Sequence, residues 1–204
     1  YGKQHIIQED IDEVISVLRS DYLTQGPAIK KFENAITHYT GAKYAVAVNS
    51  NTSGLHIACL ALGLGKKDIL WTSPITFVSS ANCARFCGAE VDFIDIDPHS
   101  FNISVFNLRK KLEKAKKENR LPKIIIPVHM CGTSCEMEEI NNLSKEYGFK
   151  IIEDSAHSIG AKYKNKLIGA CEFSEMSVFS FHPVKIITTG EGGVVTTNDE
   201  KIYK

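Results

Sequence analysis

Residues 178–195 read V-F-S-F-H-P-V-K-I-I-T-T-G-E-G-G-V-V and place a single lysine, Lys185, between two strand-like apolar runs. Ser180 precedes this lysine, and a glycine-rich turn at 190–193 follows it. Lysine is normally a surface residue, so its presence among apolar neighbours needs a reason. Burial lowers the pKa of a lysine, and the neutral amine is a nucleophile that can form a Schiff base with an aldehyde. The alternative is an ordinary surface lysine in a loop between two strands.

The composition of the 204 residues is typical of a globular domain with a sizeable core, since 43% of them are hydrophobic. The 24 basic and 24 acidic residues cancel, which argues against a nucleic acid or a membrane surface as the main partner. We expect neither a transmembrane segment nor a signal peptide, because the sequence has no long apolar span and no basic-then-apolar start.

The six cysteines include two pairs with the spacing C-x3-C, so a zinc site has to be considered. Zinc ligands are usually closer in sequence, and Cys83 and Cys87 fall inside an apolar helical pattern. We therefore expect small core residues here and no metal site. Free thiols favour a reducing, cytoplasmic compartment.

The apolar periodicity predicts an α/β fold. A first helix at 9–19 places residues 11, 14, 15 and 18 on one face, and a second helix with Ile29, Phe32, Ile36 and Tyr39 inward ends at Gly41. Strands then alternate with helices; we predict strands at 44–48, 69–72, 91–94, 124–128 and 150–153, and helices at 51–62, 76–87, 105–119 and 136–147. Strands joined by crossover helices form a mainly parallel sheet, so we expect a three-layer α/β/α architecture.

Ligands bind at the carboxyl ends of the strands in such a sheet, so the residues that follow each strand are candidates. The segment N-S-N-T-S-G at 49–54 follows the first strand and puts Asn51 and Thr52 at a helix N-terminus, which favours a phosphate. Taken alone, the segment is better explained by an ordinary helix cap. Phe77 follows the second strand and offers either an aromatic platform or a core side chain.

The later strand ends supply an acid and the lysine. Asp154, in E-D-S-A-H-S, follows the strand at 150–153 and could bind a protonated ring nitrogen or a metal, or cap the next turn. Ser180, His182 and Lys185 follow the last parallel strand. An anion site, an aromatic platform, an acid and a lysine together suit pyridoxal 5'-phosphate, whose phosphate, ring face, ring nitrogen and aldehyde need these four partners.

The motifs occur in an order that resembles the sugar aminotransferases of the DegT/DnrJ/EryC1 type. They are T-Q-G-P (24–27), S-N-T (50–52), P-I-T-F-V (74–78), E-D-S-A-H (153–157), F-S-F-H-P-V-K (179–185) and E-G-G (191–193). The resemblance covers residues 5–200. It implies the fold of a PLP-transferase large domain, similar to that of aspartate aminotransferase, with an N-terminal segment at 1–25 and the PLP-binding domain at 26–204.

The resemblance also implies a role for each site residue. Lys185 would form the Schiff base with the cofactor and shuttle a proton, and Asp154 would pair with the pyridine nitrogen. One ring face would contact Phe77 and the other Ala156, while His157 would lie near the phenolic oxygen. The phosphate would be held by Ser180, Asn51 and Thr52; many members have S-G-T or S-A-T where this chain has S-N-T, which leaves the part played by Asn51 open. His182 would line the site or pack beside the lysine loop, the segment 181–192 that carries Lys185.

The implied reaction is transfer of an amino group from L-glutamate to a nucleotide-linked 4-keto-6-deoxyhexose of the UDP-4-keto-L-AltNAc type, by ping-pong half-reactions. The site would lie at the interface of a homodimer. Members of the family are about twice as long, so the resemblance implies that these 204 residues are the N-terminal portion of an enzyme with a further small domain.

Three other functions compete with this one. Some relatives are sugar 3-dehydratases that replace the lysine with histidine, but Lys185 is present here. A non-catalytic, PLP-binding regulatory fragment is a second alternative, favoured by the short length and opposed by the combination of Lys185 with Asp154. A plain nucleotide-binding α/β domain would need a glycine-rich turn after the first strand, and residues 49–54 contain one glycine.

Overall fold

The computed structural model describes residues 3–204, so residues 1 and 2 of the predicted N-terminal segment lie outside the described residues. Seven strands form one sheet in the order β1-β9-β8-β5-β4-β2-β3. Their bounds are β1 Tyr44–Val48, β2 Ile69–Thr72, β3 Glu90–Phe93, β4 Ile124–Ile126, β5 Lys150–Asp154, β8 Met176–Ser180 and β9 Gly193–Thr197. The pairs β2–β3, β2–β4, β4–β5 and β5–β8 are parallel, whereas β9 is antiparallel to both of its neighbours.

Helices cover both faces of this sheet, which confirms the three-layer α/β/α prediction. The helices are α1 Gln8–Leu18, α2 Pro27–Thr40, α3 Asn51–Ala61, α4 Ser79–Phe86, α5 Val105–Lys117, α6 Met137–Tyr147 and α7 Glu200–Tyr203. Successive strand side chains point to opposite faces. Leu70 therefore packs with α3 and α4, and its neighbour Trp71 packs with α5 and α6.

Several predicted bounds differ from the structure by one to three residues, and two of these differences have a clear local cause. The helix predicted at 76–87 begins only at Ser79, because residues 73–78 form a turn in which the Ser73 hydroxyl accepts the Ile75 N–H. The strand predicted at 124–128 ends at Ile126, where Pro127 has no N–H to continue the ladder. Val128 makes one further bridge, with Asp154.

A short hairpin was not predicted. The strands β6 (Lys162–Tyr163) and β7 (Lys166–Leu167) pair antiparallel across a two-residue turn. Lys164 and Asn165 both have positive φ angles, as such tight hairpin turns require. Two-residue strands carry too little alternation to be recognised from sequence.

The inward face predicted for the second helix is only partly correct. No residue of α1 is buried, and in α2 Ile36 is buried and Phe32 half-buried while Ile29 and Tyr39 are exposed. Gly41 ends α2 in the left-handed conformation, as predicted. Within residues 3–204, no helix combines the length and the apolar character needed to cross a bilayer.

The cysteines next to the sheet are core residues. Cys83 is fully buried in α4 against Cys59 of α3, as the apolar pattern predicted, and Cys87 is half-buried. Across the described part of the chain, no three side chains of His, Cys, Asp or Glu are grouped so that they could hold a metal ion.

Candidate active site

The carboxyl edge of the sheet collects the predicted site residues. Asn51 begins α3 directly after β1, Asp154 ends β5 and Ser180 ends β8. Antiparallel β9 joins two of these points, because Gly193 pairs with Val48 on one side and with Ser180 on the other. The N-terminus of α3, the acid and the serine therefore lie at one edge of the sheet.

Asp154 is the centre of a buried hydrogen-bond network. Its side chain is 3% exposed, although it ends a strand. The Oδ1 atom accepts bonds from Asn51 Nδ2 (3.4 Å) and from the backbone N–H of Ala156 (3.2 Å), and Oδ2 accepts from Ser80 Oγ (2.6 Å). A buried carboxylate needs such donors to remain charged.

Lys185 lies in the turn that follows β8. Its backbone N–H donates to the His182 carbonyl at 2.9 Å, and its side chain is half-buried. Burial lowers the pKa of Lys185 below its ordinary value, and the negative charge of Asp154 opposes this effect. The sequence prediction of a lysine with weakened affinity for its proton agrees with this environment.

His157 shares the electrostatic environment of Lys185 and Asp154. Burial lowers the pKa of this half-buried histidine, the positive charge of Lys185 lowers it further, and the charge of Asp154 partly offsets both. The three side chains are therefore close enough for their charges to interact.

The N-terminus of α3 and Ser180 offer donors for an anion. Ser50 caps the helix by accepting the Ser53 N–H, while the backbone N–H groups of Asn51 and Thr52 have no protein acceptor within residues 3–204. Ser180 Oγ accepts the His182 N–H at 3.4 Å, and its own proton is donated to no other described residue. The first helical turn and this hydroxyl can therefore bind a phosphate.

The side chain of Asn51 takes a part that the sequence did not indicate. Its amide nitrogen donates to the Val178 carbonyl (3.1 Å) as well as to Asp154. Only its backbone N–H is then directed by the helix toward a phosphate, so its predicted phosphate contact would use the main chain.

Among the described residues, the side chains of Phe77 and His182 make no hydrogen bond to Asp154 or its donors. Phe77 is 70% exposed in the turn after β2, and an exposed phenylalanine is available as a platform. His182 is also exposed; its Nδ1 accepts the Val184 N–H (3.4 Å), and its Nε2 lies 3.9 Å from Glu191 Oε1. The side chain of His182 therefore interacts with other residues of the lysine loop.

Sequence reasoning missed Ser80 and its neighbour Thr76. Ser80 is fully buried on the face of α4 that packs on the sheet, and its hydroxyl lies 2.9 Å from that of Thr76. The available signal was a hydroxyl residue one turn before Cys83, on the helix face that is buried against the sheet.

A second buried pair, His129 and Glu153, was also not predicted from the sequence, and it holds β5 next to residues 129–135. His129 Nε2 lies 2.7 Å from Glu153 Oε2, and His129 Nδ1 accepts the backbone N–H of Cys135 at 3.1 Å. Nε2 must therefore carry the ring proton and donate it to the carboxylate. Ser174 donates to the other oxygen of Glu153. This network fixes the strand whose last residue is Asp154.

Comparison with known proteins matches almost the whole chain. Residues 4–204 fit the sequence profile of the DegT/DnrJ/EryC1/StrS aminotransferase family. The UDP-4-amino-4,6-dideoxy-N-acetyl-beta-L-altrosamine transaminase of Campylobacter jejuni subsp. jejuni serotype O:2 is 43% identical over 203 residues, which are 99% of this chain and 52% of that protein. The chain spans about half the length of the curated relatives it matches.

Solved structures share the fold. Helicobacter pylori PseC, an aminotransferase involved in the biosynthesis of pseudoaminic acid, has a TM-score of 0.90 and 35% identity; the match covers 100% of this chain and 53% of PseC. Spr1654 from Streptococcus pneumoniae in its PLP form has a TM-score of 0.84 and 28% identity, over 98% of this chain and 53% of that one. On its sequence and on its fold, the chain belongs to the DegT/DnrJ/EryC1/StrS aminotransferase family.

Proposed function

We propose that residues 26–204 form the PLP-binding domain of a nucleotide-sugar aminotransferase and that residues 1–25 form an N-terminal segment beside it. The observation that carries this proposal is the environment of Lys185. A half-buried lysine with a lowered pKa lies within electrostatic range of the buried Asp154, at the sheet edge where α3 offers free N–H groups. Perturbed lysines of this kind serve as nucleophiles toward carbonyl compounds.

The residues present fit pyridoxal 5'-phosphate. Three donors occupy the Asp154 oxygens, which leaves lone-pair capacity for the protonated ring nitrogen. Ser180 and the backbone N–H groups of Asn51 and Thr52 would hold the phosphate.

The remaining proposed contacts concern the ring itself. The exposed ring of Phe77 would cover one face, and Ala156, whose N–H is bonded to Asp154, would pack on the other. His157 would lie near the phenolic oxygen; because its pKa is lowered, it is neutral at pH 7 and can share a hydrogen bond without adding charge.

When bound, pyridoxal phosphate supplies an aldehyde that carries the amino group and an electron-poor ring that stabilises negative charge on the neighbouring carbon. Lys185 contributes a primary amine that holds the aldehyde at rest. Once released, its Nζ would move a proton between the substrate carbon that bears the amino nitrogen and the C4′ carbon of the cofactor, since its lowered pKa brings the basic form closer to neutral pH. Asp154 would accept the N–H of the ring nitrogen and keep that nitrogen protonated.

The proposed amino donor is L-glutamate, and the proposed acceptor is a UDP-linked 4-keto-6-deoxyhexose of the N-acetyl-altrosamine type. Support comes from the transaminase of Campylobacter jejuni and from Helicobacter pylori PseC, which the chain resembles over nearly its full length. The donor and the acceptor would use the same site in turn, in two ping-pong half-reactions.

A homodimer is proposed around this site. Large apolar side chains surround the Phe77 turn and the lysine loop, and each is at least 43% exposed: Ile75, Phe77, Val78, Ile186 and Ile187. Exposed apolar surface of this kind marks interaction sites. The six cysteines are free, which suits the proposed cytoplasmic location.

Visible absorbance tests the function directly. The purified chain is mixed with pyridoxal phosphate, and its spectrum is recorded before and after addition of L-glutamate, with D-glutamate and the variant Lys185→Met as controls. We expect a visible band that L-glutamate removes and D-glutamate leaves, and no protein-bound band in Lys185→Met. Subsequent addition of the UDP-linked keto sugar should restore the band and yield the amino sugar by mass spectrometry. A folded chain that forms no band with the cofactor would refute the proposal.

A further inference from the structure

Three donors converge on the carboxylate of Asp154, and two of them are side chains from helices on the same face of the sheet. Ser80 reaches Oδ2 from α4, and Asn51 reaches Oδ1 from the start of α3. The backbone N–H of Ala156 adds a second bond to Oδ1. Both side chains are buried, Ser80 at 0% exposure and Asn51 at 7%.

The proton of Ser80 must go to Asp154. The hydroxyl has three oxygen neighbours: Asp154 Oδ2 at 2.6 Å, Thr76 Oγ1 at 2.9 Å and the Phe77 carbonyl at 3.3 Å. A hydroxyl has one proton, and the charged acceptor at the shortest distance makes the strongest bond. Thr76 then donates to Ser80, so a chain of hydroxyl bonds runs from the turn that carries Phe77 to the carboxylate.

The orientation of the Asn51 amide is equally determined. Its terminal nitrogen has two partners, the Val178 carbonyl at 3.1 Å and Asp154 Oδ1 at 3.4 Å. Both partners are acceptors, so the atom that faces them is the NH2 group. The bond to Val178 fixes the amide on β8, and the longer contact guides one carboxylate oxygen.

We propose that Ser80 and Asn51 are positioning residues that hold the Asp154 carboxylate in one orientation toward the ring nitrogen of pyridoxal phosphate. This inference rests on the proposed function. None of the motifs described above assigns Ser80 or Asn51 a part in binding the cofactor ring. Donors on each oxygen fix the rotation of the carboxylate about its terminal bond, which would otherwise be broad. Neither residue needs to touch the cofactor ring.

Ser80 contributes more than Asn51. Its bond to a charged oxygen is short, and its loss would leave a buried carboxylate oxygen without its only side-chain donor. The Asn51 contact at 3.4 Å is near the limit of a hydrogen bond, and Ala156 continues to serve the same oxygen. Ser80→Ala should therefore weaken ring binding about tenfold, and Asn51→Ala about threefold.

The test compares two cofactors that differ only at the ring nitrogen. Dissociation constants of pyridoxal phosphate and of its deaza analogue, which has C–H in place of the ring nitrogen, are measured for the wild-type chain, Ser80→Ala, Ser80→Thr and Asn51→Ala. Ser79→Ala is the matched control, because Ser79 is a buried serine of the same helix with no bond to Asp154. Thermal unfolding identifies any variant that does not fold.

We expect Ser80→Ala and Asn51→Ala to weaken the binding of pyridoxal phosphate, while their affinity for the deaza analogue falls less than twofold. Ser80→Thr should bind pyridoxal phosphate as the wild type does, because it keeps the hydroxyl. Equal losses for both cofactors, or an unchanged Ser80→Ala, would overturn the positioning role and leave the proposed function intact. If Ser80→Ala does not fold, the results for Asn51→Ala and Ser80→Thr decide between these outcomes. A wild-type chain that binds neither cofactor would refute the proposed function and this inference together.

Discussion

The α-carbon of Gly193 lies so close to Asn51 that a Cβ atom built on it would stand 2.8 Å from the Asn51 backbone nitrogen. The same Cβ would be 2.6 Å from the carbonyl carbon of Ser50. The atoms that this Cβ would meet belong to the main chain, so no side-chain rotation can relieve the clash. The glycine thereby seats the N-terminus of α3 against β9, beside Ser180.

Gly193→Ala should lower the free energy of unfolding by about 3 kcal/mol, the upper end of the cost of overpacking. It should also weaken phosphate binding, because the first turn of α3 has to move. Chemical denaturation measures the first effect, and the dissociation constant of pyridoxal phosphate measures the second. Gly65→Ala is the control, since a Cβ there meets no atom within 4 Å; if both variants were equally stable, the close approach would be unimportant.

Lys185 should react with amine reagents at lower pH than a normal lysine. Burial lowers its pKa below the ordinary 10.5, so the neutral amine is present at pH values where most lysines are still protonated. Competitive labelling with trace acetic anhydride from pH 7 to 11 measures this, with the exposed Lys117 as the reference in the same sample. Asp154→Asn should shift the Lys185 profile to still lower pH, because the negative charge of Asp154 favours the ammonium form and the variant removes that charge. Identical profiles for Lys185 and Lys117 would contradict the buried environment.

His157 should titrate below its ordinary value of 6.5, and Lys185→Met should raise its midpoint. The lysine charge is one of the causes of the lowered pKa, so its removal makes protonation easier. NMR titration of the His157 ring protons measures the shift, with Lys117→Met as a charge-matched control. No movement in Lys185→Met would mean that the two side chains do not interact.

The same histidine predicts a pH dependence of stability. Between its folded pKa and 6.5 the unfolded chain binds more protons than the folded one, so His157 makes the fold less stable as the pH falls through this window. Urea unfolding at several pH values should show a smaller loss on acidification in His157→Gln than in the wild type.

The buried pair of His129 and Glu153 should contribute far more to stability than an exposed pair of equal length. His129 Nε2 and Arg120 Nη2 each lie 2.7 Å from a glutamate oxygen, but the first pair is buried and the second is about 60% exposed. His129→Leu should cost about 3 kcal/mol, because it leaves Glu153 Oε2 and the Cys135 N–H without a partner. Arg120→Leu should cost less than 1 kcal/mol. Similar costs in denaturant unfolding would contradict this assignment.

The sheet could be predicted from sequence because its strands are short apolar runs separated by amphipathic helices. Strands such as Tyr44–Val48 and Ile69–Thr72 were predicted with their observed bounds. The start of α4 was not, because residues 73–78 are folded by a local serine bond that leaves no periodic signal. The sequence predicted one apolar face for α1 but not that every residue of this helix lies outside the core, because apolar periodicity identifies a face and not the surface on which it packs.

The positions of the candidate site residues were predictable to the extent that these residues follow strands. The structure places Asp154 and Ser180 at the ends of β5 and β8, where that rule predicted them. The contacts of Asp154 were not predictable, because Ser80 and Asn51 are 74 and 103 residues away in sequence. Only the packing of α3 and α4 on the same face of the sheet brings these two donors to one carboxylate.

The most direct test of the account is covalent trapping of pyridoxal phosphate on the purified chain. The protein is incubated with the cofactor, reduced with borohydride and digested, and the modified lysine is located by peptide mass mapping. We predict one dominant adduct, on Lys185, that is absent when Lys185→Arg is treated in the same way. Label spread over exposed lysines, with Lys185 unmodified in a folded chain, would contradict the assignment of this residue as the anchor of the cofactor.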